Sequence, residues 1–355
     1  MPKPPLFWTP GARVPYPVRV LGNLYAAIAR GRRALYRAGK LKARPMPVPV
    51  VSVGNILAGG GGKTPLCQYL ARALAEVGLR VGVVSRGYGR QKNREFPDPI
   101  VVSRGEGPLV EPEFAGDEPY WLAQKTEALV VVSRDRPLGA LALARLGAEI
   151  LILDDGFQRL DIPRQVNLLA LPAENAWGNG HVMPAGPLRE SPQAHLAATA
   201  LVAMGDKRTA AIERLAEGRP LFWGATRPSR LVDAKSQKEI PFEALRGVRH
   251  AAFCGIARDA NFIKTLATAG LNPVAWRSFP DHARYLPEER ELLDRLLKWT
   301  RSEFLITTAK DAVKLRDFPL PLLTLETELR LSEPQKFLET VLSQAGLKNP
   351  KAPLP

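Results

Sequence analysis

Short apolar runs alternate with stretches of helical period along most of the chain. Val48–Val53, Arg80–Ser85, Ala128–Ser133, Glu149–Asp154, Val166–Leu171 and Thr199–Ala203 are rich in branched aliphatic residues, and most are followed by a loop and a helix-period segment. That alternation predicts an α/β protein built on a parallel sheet. A polar stretch from Gly224 to Gly247 interrupts it, with two short candidate strands around Asp233 to Lys238, and reads as a hairpin linker. The alternation then resumes: His250–Gly255, a helix to Gly270, Pro273–Ser278, a helix from Pro287, Phe304–Thr308, a helix through Leu315 and a final helix from Glu333. The expected organisation is an N-terminal segment over 1–45, a larger domain over 46–223, the linker over 224–247, and a second, smaller α/β domain over 248–347.

The N-terminal segment has a different character. Residues 1–45 hold ten Lys and Arg and no carboxylate, out of a net charge of +15 for the whole chain. On a helical wheel Leu21, Leu24, Tyr25, Ile28, Leu35 and Tyr36 fall on one side, and Arg19, Arg30, Arg33 and Arg37 fall opposite, with Arg32 breaking the pattern. A basic amphipathic helix of this kind favours an anionic membrane surface. The plainer alternative is a helix docked on the body with a solvated basic face. Nucleic acid is not expected as a partner, because no recognition motif or aromatic-rich groove pattern accompanies the charge.

Composition narrows the class further. At 355 residues and 45% hydrophobic content the chain can bury a substantial core and is not generally disordered. Two cysteines, Cys67 and Cys254, lie far apart without metal-ligand spacing, which suits a reducing cytosol. Neither a transmembrane helix nor a signal peptide is expected from the hydropathy pattern.

The chemistry concentrates in Val48 to Leu74, where an apolar strand leads into a glycine-rich loop and an amphipathic helix. That is the setting of a phosphate-cradling P-loop. Gly59, Gly60, Gly61 and Gly62 lack Cβ atoms, so their N–H groups can curl inward around phosphate oxygens, with the helix dipole adding to the attraction. Lys63 would reach the β- and γ-phosphates and the Thr64 hydroxyl would ligate Mg²⁺, with Pro65 completing the motif. Leu57 stands where the strict pattern has its first glycine, and a flexible glycine linker is the alternative reading of the loop. A second element, Ile150 to Gln158, ends an apolar strand in Asp154-Asp155, either as carboxylates beside a metal or as a helix cap. Gly116-Asp117-Glu118-Pro119 places two acids at a helix start, where the dipole stabilises them even without function.

These motifs together resemble the tetraacyldisaccharide 4'-kinase family, the lipid A 4'-kinases of Gram-negative bacteria. The resemblance is carried by Val53-Gly-Asn-Ile and the GGGGKTP loop, Ser85-Arg-Gly-Tyr-Gly89, Gly116-Asp-Glu-Pro119, Asp154-Asp-Gly-Phe-Gln158 and Pro184-Ala-Gly-Pro-Leu-Arg-Glu190. It continues through Gly255-Ile-Ala-Arg258 with Asn261-Phe262, Phe279-Pro-Asp-His282 and Thr307-Thr-Ala-Lys-Asp-Ala-Val-Lys-Leu315. Gly61 replaces the family's usual threonine, Arg159 stands in place of a histidine, and Leu171-Pro172 where an aspartate is common.

The resemblance implies a P-loop NTPase-like parallel-sheet domain joined by the hairpin linker to the smaller α/β domain. It also implies transfer of the γ-phosphate of ATP, with Mg²⁺, to the 4'-hydroxyl of an acylated glucosamine disaccharide 1-phosphate, giving lipid IVA. Asp117 is implied as the base that takes the sugar hydroxyl proton, with His282 as its polarising partner. Lys63 and Arg189 are implied as the charge stabilisers. Thr64, Asp154, Asp155 and Glu190 form the implied metal set, with the direct ligands among the carboxylates open. Ser85 to Tyr88 is expected to face the disaccharide or nucleotide, and Lys310 and Asp311 either serve the cleft or cap a helix. A monomer is expected, peripheral or monotopic on the cytoplasmic face of the bacterial inner membrane. A GTP switch is disfavoured because Thr308-Ala-Lys-Asp311 has the wrong spacing for a guanine-reading motif. An ATP-binding membrane scaffold without transfer activity is the remaining alternative. The two-domain pattern predicts closure around ATP: small-angle scattering should show a more compact particle with nucleotide, and an identical profile with and without it would refute closure.

Overall fold

The computed structural model describes residues 5–59, 61–91, 97–256, 259–280, 283–315 and 317–349. The strands, in chain order, are β1 (Val50–Gly54), β2 (Val81–Ser85), β3 (Ile100–Arg104), β4 (Leu129–Val132), β5 (Ile150–Asp154), β6 (Val166–Pro172), β7 (Ala200–Met204), β8 (Leu221–Asp233), β9 (Glu239–Ile240), β10 (His250–Cys254), β11 (Ala275–Ser278), β12 (Phe304–Thr308) and β13 (Leu322–Leu331). The helices are α1 (Tyr16–Arg37), α2 (Lys63–Glu76), α3 (Pro112–Ala115), α4 (Asp117–Lys125), α5 (Arg136–Arg145), α6 (Ala210–Ala216), α7 (Asp259–Thr268), α8 (Pro287–Thr300), α9 (Ala309–Ala312) and α10 (Pro334–Gln344). The chain forms two compact units, one of residues 226–329 and the other of the described residues before 226 and after 329.

The larger unit carries the strand order β8-β7-β6-β1-β5-β2-β4-β3. Every pairing in it is parallel except β3 with β4, whose register shifts between Val101 and Ser103. Its inner strands are buried on both faces, which explains why their sequences read as continuous aliphatic runs rather than alternating ones. Helices α2 and α5 pack on these strands, α5 started by Asp135, whose side chain accepts from the Leu138 amide at 3.1 Å. Central β1 lies between β5 and β6, where the strand order reverses, so its carboxyl end opens the crevice that α/β sheets use for ligands.

The smaller unit has the parallel order β11-β10-β12-β13, with β9 pairing antiparallel to the far end of β8. The predicted hairpin is present, although its first strand is longer than the linker reading allowed. Two apolar clusters fill the unit, one around Ala252, Ile306 and Phe262, the other around Phe253, Leu305 and Tyr285. The aromatic rings of Phe253, Phe279 and Tyr285 meet edge to face, with centroids 5.3 to 6.1 Å apart.

Two strands and one placement differ from the sequence reading. β3 and β13 had no predicted counterpart. The final helix α10, expected at the end of the smaller domain, groups with the larger unit, because Phe337 is fully buried against Phe222 and Tyr69. Among the described residues no helix is long and apolar enough to cross a membrane.

Helix α1 corrects the wheel. Its docked side is the line Gly22, Ala26 and Arg33: the two small residues are buried, and a Cβ added at Gly22 would stand 2.7 Å from the Val182 carbonyl oxygen. Arg33, placed with the solvated arginines by periodicity, is instead paired with Glu190 beneath the helix. Leu21, Leu24, Ile28 and Leu35 remain exposed, so the apolar side of the wheel is not the docked one.

Close approach at the end of β1 gives a direct test of this packing. An added Cβ at Gly54 would lie 2.6 Å from the Cβ and 2.7 Å from the amide nitrogen of Phe157. Gly54→Ala should therefore lower stability by about 1–3 kcal/mol, read as a fall in the thermal midpoint. An unchanged midpoint would refute the contact.

Candidate active site

The site is assembled at the carboxyl ends of β1 and β5. Beyond β1 the chain runs through Asn55, Ile56 and Leu57 into the glycine loop. Leu57 is buried and bridges to Leu188, so the residue that departs from the strict loop pattern serves as an apolar anchor. The Ala58 amide donates to the Pro187 carbonyl and the Arg189 amide to the Ile56 carbonyl, each at 2.7 Å. Residues 187–189 therefore run beside the start of the loop.

Gly62 caps α2 in the left-handed conformation (φ +80°), and no side chain caps the helix, which leaves its first-turn amides for a ligand. A side chain at Gly61 would collide with the Asn55 amide at 2.3 Å, so glycine and the buried Asn55 belong together at this point. Gly60 lies outside the described residues. Thr64 and Pro65 follow in the first turn of α2.

Asp155 is the focus of the charge. It adopts positive φ (52°) just past β5, a conformation Asp tolerates better than most residues. Lys63 Nζ lies 2.7 Å from its Oδ1, and Arg189 Nη1 lies 2.7 Å from its Oδ2. Burial pushes the Asp155 carboxyl up, but Lys63 and then Arg189 outweigh it and hold the group below the usual carboxylate range. The motif's lysine, the carboxylate and the distant arginine predicted as a stabiliser are thus brought together.

Asp154 has a different environment. It is buried, accepts from Ser85 Oγ at 2.8 Å and lies 3.6 Å from Cys67 Sγ. Burial, followed by the Asp154 charge, pushes the Cys67 thiol well up, so it stays protonated. Beneath the strand end Arg136, the first residue of α5, is only 4% exposed and donates to the Asp154 carbonyl at 3.1 Å. Burial lowers its guanidinium to about 10, and it keeps its charge near neutrality. Arg164 fastens the following turn by donating to the carbonyls of Gly156, Phe157 and Arg159. Neither arginine had been singled out in the sequence; an Arg opening a helix after an apolar strand and an Asp cap is the only signal that could have found Arg136.

Asp117 opens α4 directly after Gly116, which is packed so tightly on the Ser85 to Tyr88 loop that a Cβ there would meet the Gly87 backbone at 3.1 Å. Ser85 itself binds Asp154, so the two motifs and the β5 carboxylate form one neighbourhood. His282 lies outside the described residues. Glu190, expected with the metal ligands, faces α1, where Arg33 grips both of its oxygens at 2.7 to 3.0 Å. Among the described residues no group of three or more His, Cys, Asp or Glu could hold a metal ion. Arg159, at the position of the absent histidine, pairs with Asp161.

In the smaller unit Asp311 is fully buried and accepts from the Gly255 amide at 2.9 Å and from Thr308 Oγ1 at 2.7 Å. Thr308 in turn caps α9. Asp311 thus steadies the capping residue rather than capping the helix itself. His181, His195 and His250 carry no assigned role.

Comparison with known proteins identifies the family. The family model for tetraacyldisaccharide-1-P 4'-kinase matches residues 16–346. The chain is 39% identical over 316 residues to the tetraacyldisaccharide 4'-kinase of Anaeromyxobacter dehalogenans strain 2CP-C, covering 86% of this chain and 82% of the relative. It is 36% identical over 340 residues to that of Desulfatibacillum aliphaticivorans, covering 92% of each. Among solved structures it is similar to LpxK from Aquifex aeolicus in complex with ATP, with a TM-score of 0.74, 34% identity, and coverage of 91% of this chain and 97% of the other. With the glycine loop, the Asp154-Asp155 strand end and Arg189 gathered in one crevice and the match running almost from end to end, the chain belongs to the tetraacyldisaccharide-1-P 4'-kinase family.

Proposed function

We propose that the chain transfers the γ-phosphate of ATP to the 4'-hydroxyl of a tetraacylated glucosamine disaccharide 1-phosphate, giving lipid IVA. The observation that carries this reading is the convergence of Lys63 and Arg189 on one carboxylate beside a glycine loop and an uncapped helix start. Two cations held 2.7 Å from Asp155 are already placed for anionic oxygens, and phosphoryl transfer rests chiefly on positioning and charge neutralisation. Triphosphate oxygens would take over part of the role Asp155 plays for Lys63 and Arg189, while the amides of the loop and of α2 bind the remainder. Asp117, beside the Ser85 to Tyr88 loop, is the base that accepts the sugar hydroxyl proton, with His282 as its partner.

The donors near the strand end are all oxygen: the Thr64 hydroxyl and the Asp154 and Asp155 carboxylates. That set suits Mg²⁺, which prefers one or two carboxylates together with substrate phosphates over a closed protein cage. When bound, Mg²⁺ supplies neutralisation of charge on the phosphate oxygens. Glu190 is left out of the set because Arg33 occupies it.

The acceptor's acyl chains place the reaction at a bilayer, on the cytoplasmic face of the inner membrane where ATP is found. Helix α1 suits that setting: Leu21, Leu24 and Ile28 are 54 to 63% exposed on one side, and basic residues flank them. No second protein chain is needed for this reading, and the enzyme acts as a monomer.

Transfer of labelled γ-phosphate to the disaccharide 1-phosphate in detergent micelles with Mg²⁺ tests the reaction. Native chain should be active, Lys63→Ala should lose roughly two to three orders of magnitude in kcat, and Asp117→Ala a comparable amount. ATP binding without transfer by the native chain would replace the kinase reading with a scaffold. For the membrane contact, replacing Leu21, Leu24 and Ile28 together by Ser should release the chain from anionic vesicles in a sedimentation assay. Undiminished sedimentation would sink the role of α1.

A further inference from the structure

Arg33 is nearly buried, with its side chain 11% exposed and that of Glu190 10% exposed. Its guanidinium makes a two-pronged contact with the Glu190 carboxylate, Nε to Oε2 at 3.0 Å and Nη2 to Oε1 and Oε2 at 2.9 and 2.7 Å. The same guanidinium lies 5.3 Å from the centre of the Phe157 ring, on the turn that follows Asp155. Beside it, Arg32 donates to the Gln158 carbonyl at 3.0 Å, and Gln158 Nε2 donates to the Asn55 carbonyl at the start of the glycine loop. Helix α1 is thus fastened to both strand-end segments that form the site.

Consecutive residues of one segment face different partners: Arg189 holds Asp155 and Glu190 holds Arg33. The backbone between them is also fixed, by the Arg189 amide on the Ile56 carbonyl and by Leu188 against Leu57. A grip on the Glu190 carboxylate therefore limits rotation of the segment and sets the direction of the Arg189 guanidinium. A fork-shaped cation does this better than a point charge, because two parallel hydrogen bonds define a plane.

We propose that Arg33 is a positioning residue for phosphoryl transfer: by gripping Glu190 it aims Arg189 at the Lys63–Asp155 pair, so that seating of α1 and readiness of the site are a single structural event. The proposal rests on the kinase reading for its activity readout, but its nucleotide-binding readout does not need that reading.

The test uses the full chain and compares native protein with Arg33→Gln, Arg33→Lys and Gly22→Ala. The last adds a methyl 2.7 Å from the Val182 carbonyl and lifts α1 without touching any charged group. Measured are kcat and acceptor KM, affinity for a fluorescent ATP analogue without acceptor, and partition onto anionic vesicles. Arg33→Gln and Gly22→Ala should each lose about tenfold or more in kcat, with acceptor KM within about twofold. Nucleotide affinity should fall in parallel and vesicle partition should hold, while Arg33→Lys recovers part of the loss. If Arg33→Gln does not fold, Gly22→Ala decides. Native kcat and native nucleotide affinity in either folded variant would overturn the proposal, and a loss confined to vesicle partition would show α1 to be an anchor only. A native chain that binds nucleotide but transfers no phosphate would overturn the kinase reading instead, leaving the affinity comparison to judge Arg33.

Discussion

The carboxylate of Asp155, drawn between Lys63 and Arg189, is the interaction on which the site depends. It joins three segments distant in sequence: the glycine loop with α2, the end of β5, and residues 187–189. Two cations this close, partly desolvated, would repel each other and loosen both segments without a fixed negative charge between them. The arrangement is electrostatically preorganised, because the cations are held in place before any ligand arrives and little reorientation remains to be done. Arg136 beneath Asp154 extends the same logic downward, placing a permanent positive charge under the strand end where two acids occur in succession.

Both units use a carboxylate in this way at the end of parallel strands. In the smaller one Asp311 joins the end of β12 to Gly255, just past β10, by accepting from an amide and a hydroxyl. Its hydrogen-bond donors are neutral, and burial together with Asp311 pushes the neighbouring Tyr285 hydroxyl up, so that group remains protonated. The two carboxylates differ in their neighbours more than in their placement. Asp155 has cations that a phosphate could share, whereas Asp311 has neutral donors that serve the fold.

Much of the larger unit was legible because its strands are buried on both faces, and aliphatic runs of that kind have few alternatives. The loop, the Asp154-Asp155 strand end and Arg189 were legible for a related reason: phosphate chemistry needs those residue types in that context. What failed to show was governed by long-range packing. β3 pairs antiparallel at the edge and β13 carries polar residues at its far end, so neither gave a clean periodic signal. The wheel put Arg33 among solvated arginines because periodicity records which face is charged and not which charge has a buried partner 157 positions away. The pairing of Glu190 was hidden for the same reason: nothing local announces that its cation comes from α1.

The edge of the larger sheet has a consequence of its own. β3 pairs with β4 on one side and is followed in the strand order by nothing further among the described residues. Part of that edge is already taken, by the Leu109 amide on the Val102 carbonyl and the bridge from Ser103 to Pro108, and only the remainder offers unpaired groups to another extended chain. Here the register shift between Val101 and Ser103 breaks the regular spacing of those groups, and exposed Arg104 adds a charge at the strand's end. A kinked, charged and partly covered rim is a poor template for strand addition, so the long aliphatic sheet ends at β3 without a regular row of groups for another strand to pair with.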